Sequence, residues 1–319
     1  MGTGSKIIGN KPILCFYIDM VQINNPLKRV VAIFAHNESR RIIACLEALR
    51  LSPLPDGTTC YVIANGCTDD TVIRATEYAQ RASWVKVIDL KTGDKANAWN
   101  YFVHEVAAEA GIYFFTDGDC QIESGALQHL EERLLSNPDI NAVSGVPSSR
   151  NLSLGIFRSI ITSKGGFAGN LYALSQDFVT RIRIKQIRLP HGLIGDDSLI
   201  GALALWNLDP SAQWNLDLIQ VVPSATFRYE SILRASLYDP AFYIRRLKRY
   251  SLRHFQNQLI KFRIKELGLS VLPYHINSLY LEAEDKELIP RRSLKHYFFD
   301  RWAITQIHNI RKLPSSSGR

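Results

Sequence analysis

The stretch "YFFTDGDCQI" (113–122) sets two carboxylates, Asp117 and Asp119, one glycine apart behind an apolar, aromatic run. Two anions this close repel unless water or a cation separates them. One reading is a solvated strand-end turn. The other is a divalent cation: Mg²⁺ and Mn²⁺ take oxygen ligands, and Mg²⁺ often uses only one or two carboxylates, completing its shell with water and substrate phosphates. A second acid pair, Asp196 and Asp197 in "LPHGLIGDDSL" (189–199), opens an apolar helical run. Acids in a first turn complement the helix dipole, and an acid that reaches an acceptor hydroxyl is a general base. Spacing does not choose between these roles. Further polar groups come in "NGCTDDT" (65–71), a strand-to-helix turn that is also a candidate wall for a nucleotide, and in "GDKANAWN" (93–100). The latter supplies Lys95, a countercharge for a metal-bound diphosphate if it lies beside one, and Asn100.

These residues need elements to bring them together, and the first 145 residues alternate between two periods. Continuous apolar, β-branched runs at 30–35, 60–64, 84–90, 112–117 and 140–145 predict five buried strands. Helices are predicted after the first four. The first has Ser39 as its N-cap and Ile42, Ile43, Leu46 and Leu49 at helical spacing; the second is opened by Asp69 or Asp70. The third runs from about Lys95 to Glu109 and the fourth over Ser124–Leu135. This rhythm implies an α/β fold with a doubly wound, mainly parallel sheet, whose ligands bind beyond the carboxyl ends of the strands. "HNES", "NGCTDD", "TGDK" and "DGD" fall at four such ends, so one crevice would collect them.

The chain of 319 residues carries a formal charge of +8, which suits an acidic partner such as nucleic acid, anionic lipid or a phosphorylated substrate. Its five scattered cysteines form no CxxC pair, so neither a zinc site nor a disulfide framework is indicated, and a reducing compartment is expected. No signal-peptide h-region and no uncharged run of 18 apolar residues occurs. The expected location is the cytoplasm, with any membrane association peripheral. Beyond residue 146 the pattern loosens. The segment 240–265, "PAFYIRRLKRYSLRHFQNQLIKFRIK", carries eight Lys or Arg and no acid. Its basic stems could cover a packed helix, lay it on anionic lipid, or grip a donor diphosphate. The expected division is an N-terminal extension (1–28), a catalytic domain (29–235), a basic helical C-terminal region (236–311) and a frayed tail (312–319).

Taken together the motifs resemble the family 2 glycosyltransferases of the GT-A fold. "IFAHNES" is similar to the family's "PAHNE" element and "VIANGCTDDT" to "VDNGSTDxT", being closest to the "ANGCTDxT" form of one branch. "GDKANAWN" matches "GKxxALN", "TDGD" the metal-binding DxD, and "IGDDSL" the "GEDxxL" or "ADDxxV" element, all in order over about residues 30–200. The resemblance implies a nucleotide-sugar donor, by default a UDP-sugar, with Mn²⁺ or Mg²⁺ and inversion at the anomeric carbon. It implies that Ala35, Asn37 and Glu38 line the nucleotide site and that Asn65 and Asp69 border base and ribose. Lys95 would meet uracil or phosphates, Asp117 the ribose or metal, Asp119 the metal, and Asp197 would be the base.

Three departures matter. Ala64 stands where many members place an Asp beside the base, Asp196 replaces the commoner Glu, and "RRLKRY" (245–250) lacks the Gln and Trp of the processive synthases' QxxRW. A single sugar is therefore expected to be added. The acceptor, whether glycan, lipid-linked sugar, small molecule or peptide, is not readable, and no nucleic-acid partner is expected. His191 and the segment 164–170 are candidate walls for its pocket, or ordinary loop. Rival readings fare worse. A phosphatase of the haloacid-dehalogenase type wants Thr or Val where Gln121 stands, and its acids on the first strand. A sugar-nucleotide pyrophosphorylase would begin with "GxGxRL". A catalytically silent nucleotide-binding module would not need the acids for metal and base, which are present.

Overall fold

The computed structural model describes residues 27–53, 57–148, 155–156, 158–159, 161, 166–229 and 240–312. The expected N-terminal extension, save its last two residues, and the tail after 312 lie outside these residues.

Strands β1 (Arg29–Ala35), β2 (Thr58–Asn65), β3 (Val85–Leu90) and β4 (Ile112–Asp117) alternate with helices α1 (Ile42–Leu51), α2 (Thr71–Ala79) and α3 (Lys95–Tyr101). A π-helical turn over Phe102–Val106 continues α3, which ends short of the expected Glu109. The chain proceeds through β5 (Gln121–Ile122), α4 (Ala126–Ser136), β6 (Ala142–Pro147), β7 (Leu171–Ser175), α5 (Gln176–Ile184), α6 (Asp196–Leu205) and β8 (Ile219–Arg228). It closes with α7 (Pro240–Leu267), α8 (Asn277–Glu282) and α9 (Leu294–Lys312).

Among the described residues these strands form one sheet in the order β3-β2-β1-β4-β7-β6-β8-β5. The four strands β3, β2, β1 and β4 are parallel neighbours, as a doubly wound sheet requires. The fifth predicted strand, β6, does not pair with β4. The antiparallel β7 lies between them, with Phe115 opposite Tyr172 and their rings stacked at 4.7 Å. An antiparallel strand presents its amino end, not its carboxyl end, at the edge where β1–β4 finish. The loop before β7 thus reaches Asp117.

The apolar runs are continuous because both faces of the sheet are covered. Along β1, Val31, Ile33 and Ala35 pack with Leu46 of α1 and Leu130 of α4, while Val30, Ala32 and Phe34 pack with Trp99 of α3. The second cluster also takes Phe255, Leu259 and Ile264 of α7 and Ala303 and Ile307 of α9. The C-terminal region therefore shares its core with the sheet, and each fully buried side chain of this kind stabilises the fold by roughly 1.5–3 kcal/mol. No described helix is long and apolar enough to cross a membrane.

One local expectation fails. Ser39 does not cap α1. The chain turns at Asn37 in the left-handed region (φ 57°), and the carbonyl of Glu38 accepts from the N–H groups of Arg41 and Ile42. Ser39 instead donates its backbone N–H to Asp69. A tertiary turn has overridden the local capping preference.

Candidate active site

The first wall comes from the ends of β1 and β2. The buried Asn65 amide donates to the Ala35 carbonyl at 2.9 Å, locking the two strand ends together. Asn37 Oδ1 accepts from the N–H of Thr68 at 2.8 Å. Asp69 accepts from Ser39, from the N–H of Thr71 and from its hydroxyl. Burial opposes its ionisation, but these bonds outweigh that and hold its carboxyl down at about 2. Of the two acids expected to open α2, Asp70 occupies the N-cap position without a side-chain cap bond, while Asp69 binds Thr71 and stitches two loops together.

The second wall holds the acids. Asp117 Oδ1 accepts from Lys95 Nζ at 2.6 Å and Oδ2 from the Asn170 amide at 2.9 Å. Lys95 also lies 3.5 Å from Asp196 Oδ2. Burial works against the Lys95 charge, but the two carboxylates overcome it and raise its pKa. Lys95 is held there by Asp94, which caps α3 by accepting from Ala96 and Asn97. The lysine that the resemblance assigns to uracil or phosphates is, in this structure, bound between two acids.

Asp119 differs from Asp117 in having no cationic partner among the described residues. Among the described residues its one hydrogen bond comes from the Cys120 thiol at 3.5 Å. Ligand atoms of Asp117, Asp119 and Cys120 lie within 4.8 Å of one another. Burial raises the Cys120 pKa, so the thiol stays protonated and the two carboxylates are the available donors. Glu38, paired with Arg41 at 2.7 Å, lies in their field. Among the described residues, five carboxylates (Glu38, Asp117, Asp119, Asp196, Asp197) face three cations (Arg41, Lys95, Arg253), which leaves an excess of two negative charges when all are ionised. A hard divalent cation at Asp119, with Asp117 beside it, fits this donor set and its charge.

The same excess predicts a pH effect. Burial, with help from Asp119 and Asp117, raises the Glu38 carboxyl from 4.5 to about 7. The folded state therefore binds the proton more tightly than the unfolded chain. This contribution to stability is fully present below 4.5 and is lost as pH rises through about 7. In chelator, the melting temperature should fall between pH 5 and pH 8. Glu38→Gln should flatten that slope, and an unchanged slope would show that Glu38 is not its source.

The third wall separates the acid pair. Asp196 is buried (8% exposed) and faces Lys95. Asp197 is more open, and its Oδ1 accepts from Arg253 of α7 at 2.8 Å and from the N–H of Ser198 at 2.8 Å. Its Oδ2 faces Gly169, where a Cβ would stand 3.1 Å from Oδ2 and 2.5 Å from the Asp197 Cβ, so only glycine fits. Gly195, just before the pair, has φ 97° and lies beneath the Arg253 side chain. The buried Gln256, also on α7, accepts from the N–H of Ile194 at 2.7 Å and donates to the carbonyl of Gly192. The long basic helix thus positions the acid-pair loop.

The other basic residues of 240–265 scatter. Arg246 stacks on Tyr250, Lys248 lies over Trp302, and Arg263 meets Glu282. Asn100 stands apart from the acids: it is buried, donating to the carbonyl of Leu189 and accepting from its N–H, both at 2.8 Å. Both polar atoms of its amide are thus tied to the backbone of Leu189. Asn100 and His191 border a cavity of about 1000 Å³, which no carboxylate lines among the described residues; His191 also stacks on Tyr274 at 4.4 Å. Sequence reasoning missed Arg253 and Gln256, and named Asn170 only within a loop.

A family model described as glycosyl transferase family 2 matches residues 30–189, which include the carboxyl ends of β1, β2, β3 and β4. The chain belongs to glycosyl transferase family 2. The match stops before Asp196, so the acid pair and α7 of this glycosyltransferase lie outside it. Its fold is that of GT-A glycosyltransferases. Among solved structures it is similar to the mannosyltransferase PcManGT from Pyrobaculum calidifontis, a complex with GDP-Man and Mn²⁺. That alignment has 16% identity, covers 96% of this chain and 83% of that one, and has a TM-score of 0.58. It is also similar to S. aureus TarS, with 14% identity, coverage of 88% and 81%, and a TM-score of 0.53. No curated protein matches the sequence.

Proposed function

We propose that this family 2 glycosyltransferase moves a single sugar from a nucleoside-diphosphate donor to an acceptor hydroxyl, with inversion at the anomeric carbon and dependence on Mn²⁺ or Mg²⁺. The observation that carries this reading is the state of Asp197. One carboxylate oxygen is anchored by Arg253 and Ser198, and the other faces Gly169 without a hydrogen-bond partner among the described residues. A base so held is oriented and still open to a substrate proton. The acceptor oxygen attacks the anomeric carbon, its proton passes to Asp197 Oδ2, and the bond to the diphosphate breaks with its electron pair leaving on the diphosphate. Asp119, with Asp117, would hold the metal, which when bound would stabilise the charge on the leaving group. Asn65 and Asp69 hold the loops of the nucleotide wall in place, and Lys95 keeps Asp117 turned toward the crevice.

Uridine is the default donor base. Guanosine stands beside it, because the Pyrobaculum enzyme is a complex with GDP-Man and Ala64 offers a base no side-chain hydrogen bond. A thermal-shift panel of nucleoside diphosphates tests the reading. At a hundredfold excess over Kd, one of them should stabilise the protein by about 2.7 kcal/mol in the presence of Mn²⁺ and much less without it. If none does so, the donor assignment fails.

The first turns of α7 expose Tyr243 and Ile244 beside Arg245 and Arg249, an aromatic-basic composition suited to anionic lipid. We place this end of the helix on the cytoplasmic membrane surface. The protein should float with vesicles rich in phosphatidylglycerol, and not with phosphatidylcholine alone. Equal absence from both would end the assignment.

A further inference from the structure

We infer that the acceptor is an anionic amphiphile, its apolar part lying against Phe167, Trp206, Trp214 and Leu216 and its anionic group meeting Arg253 and Lys261. The inference rests on the transferase reading above and names its second substrate.

A cavity of about 410 Å³ includes Asp197 and Ser198 in its wall and runs along α6 to β8 and α7. A hydroxyl delivered through it would arrive at the proposed base. Its lining is mainly apolar. Trp206 and Trp214 meet edge to face at 6.0 Å, and Phe167 lies against Tyr172. Trp214 (52% exposed) and Leu216 (59% exposed) present large apolar surfaces to water on this wall. Such surface at the side of a pocket is stabilised when a ligand covers it. An oligosaccharide would ask for a dense set of hydrogen-bonding groups. Besides the charged residues, the polar side-chain groups on this lining are, among the described residues, those of Ser198 and Asn257 and the indole N–H groups of Trp206 and Trp214, a sparse set for so large an apolar wall.

The charges on the lining are Asp197, Arg253 and Lys261. Asp197 already takes one guanidinium nitrogen of Arg253, whereas Lys261 is exposed and has no carboxylate partner among the described residues. Apolar walls with one cation in excess fit a ligand that is apolar along its length and negative at one point. An anion shared with Arg253 would also keep the guanidinium in place over Gly195 and Asp197, so acceptor binding and orientation of the base are coupled.

The test uses the whole protein and octyl phosphate below its micelle concentration, followed by tryptophan fluorescence and calorimetry. Inorganic phosphate and octyl glucoside serve as comparators. Octyl phosphate should bind at least about tenfold more tightly than either, and Trp214→Ala and Lys261→Ala should each weaken it by about tenfold. Neither substitution should alter stabilisation by Mn²⁺ and a nucleoside diphosphate. Equal binding of inorganic phosphate would reduce the site to a general anion contact and overturn the inference. So would equal binding of octyl glucoside, or indifference to both substitutions. A protein that responds to nucleotide but not to octyl phosphate keeps the transferase reading and loses this one. A protein that binds octyl phosphate but no nucleotide keeps the groove and loses the donor.

Discussion

Asp119→Ala should remove the Mn²⁺-dependent stabilisation by nucleoside diphosphate and lower transfer by roughly 10²–10⁴-fold, a loss of several kcal/mol of charge stabilisation. The expectation follows from what the two acids of the motif already do. Asp117 is engaged on both oxygens, by Lys95 and by Asn170. Asp119 has only a weak thiol donor and no cation among the described residues. A metal that replaces no existing pairing binds there at least cost. Removing Asp119 takes away the open carboxylate, relieves repulsion within the acidic cluster and leaves the sheet untouched. The apo variant should therefore melt no lower than the parent while losing its response to Mn²⁺. A variant that keeps the full metal-dependent shift would move the metal elsewhere.

Asp197→Asn should lower kcat by roughly 10²–10⁴-fold, the usual contribution of a general base, with donor binding unchanged. The amide oxygen can still accept from Arg253 and Ser198, so the loop should keep its shape while losing the group that takes the proton. Thermal shift with nucleotide and Mn²⁺ separates this from misfolding, because the response should persist in a variant that no longer transfers. A fully active Asp197→Asn enzyme would refute the assignment. The geometry also explains why its neighbour is not chosen. Asp196 is buried, with its carboxylate turned to Lys95.

Much of this arrangement is legible in the sequence, for a physical reason. Strands covered on both faces read as unbroken apolar runs, and in a parallel array each hands its polar successor to the same edge. Hence β1 to β4 and the residues Asn37, Asn65, Asp69, Lys95, Asp117 and Asp119 can be gathered into one crevice from sequence alone. The rest is hidden where the rule changes. β7 has only five residues behind a glycine-rich loop, and because it runs backwards its contribution, Asn170, precedes the strand instead of following it. Arg253 meets Asp197 across 56 positions of chain, a pairing that local pattern does not encode. The periodicity of 240–265 announces a basic helix, but not that Gln256 and Arg253 turn inward to hold the acid-pair loop. Asn100 errs in the other direction. It matches a motif position, yet the backbone of Leu189 claims it.

The reversed strand has a consequence for how such an enzyme can diversify. In the proposed reading the nucleotide-facing groups are carried by residues 35–119 and the acceptor-facing groups by residues 166–261. Two side-chain contacts within the acid cluster join these parts: Asn170 to Asp117 and Asp196 to Lys95. A lineage that keeps these joints, and the backbone of Leu189 and Gly192 that Asn100 and Asp94 hold, is free to rewrite the other side chains of the later segment, and with them the molecule that receives the sugar, while inheriting the donor machinery.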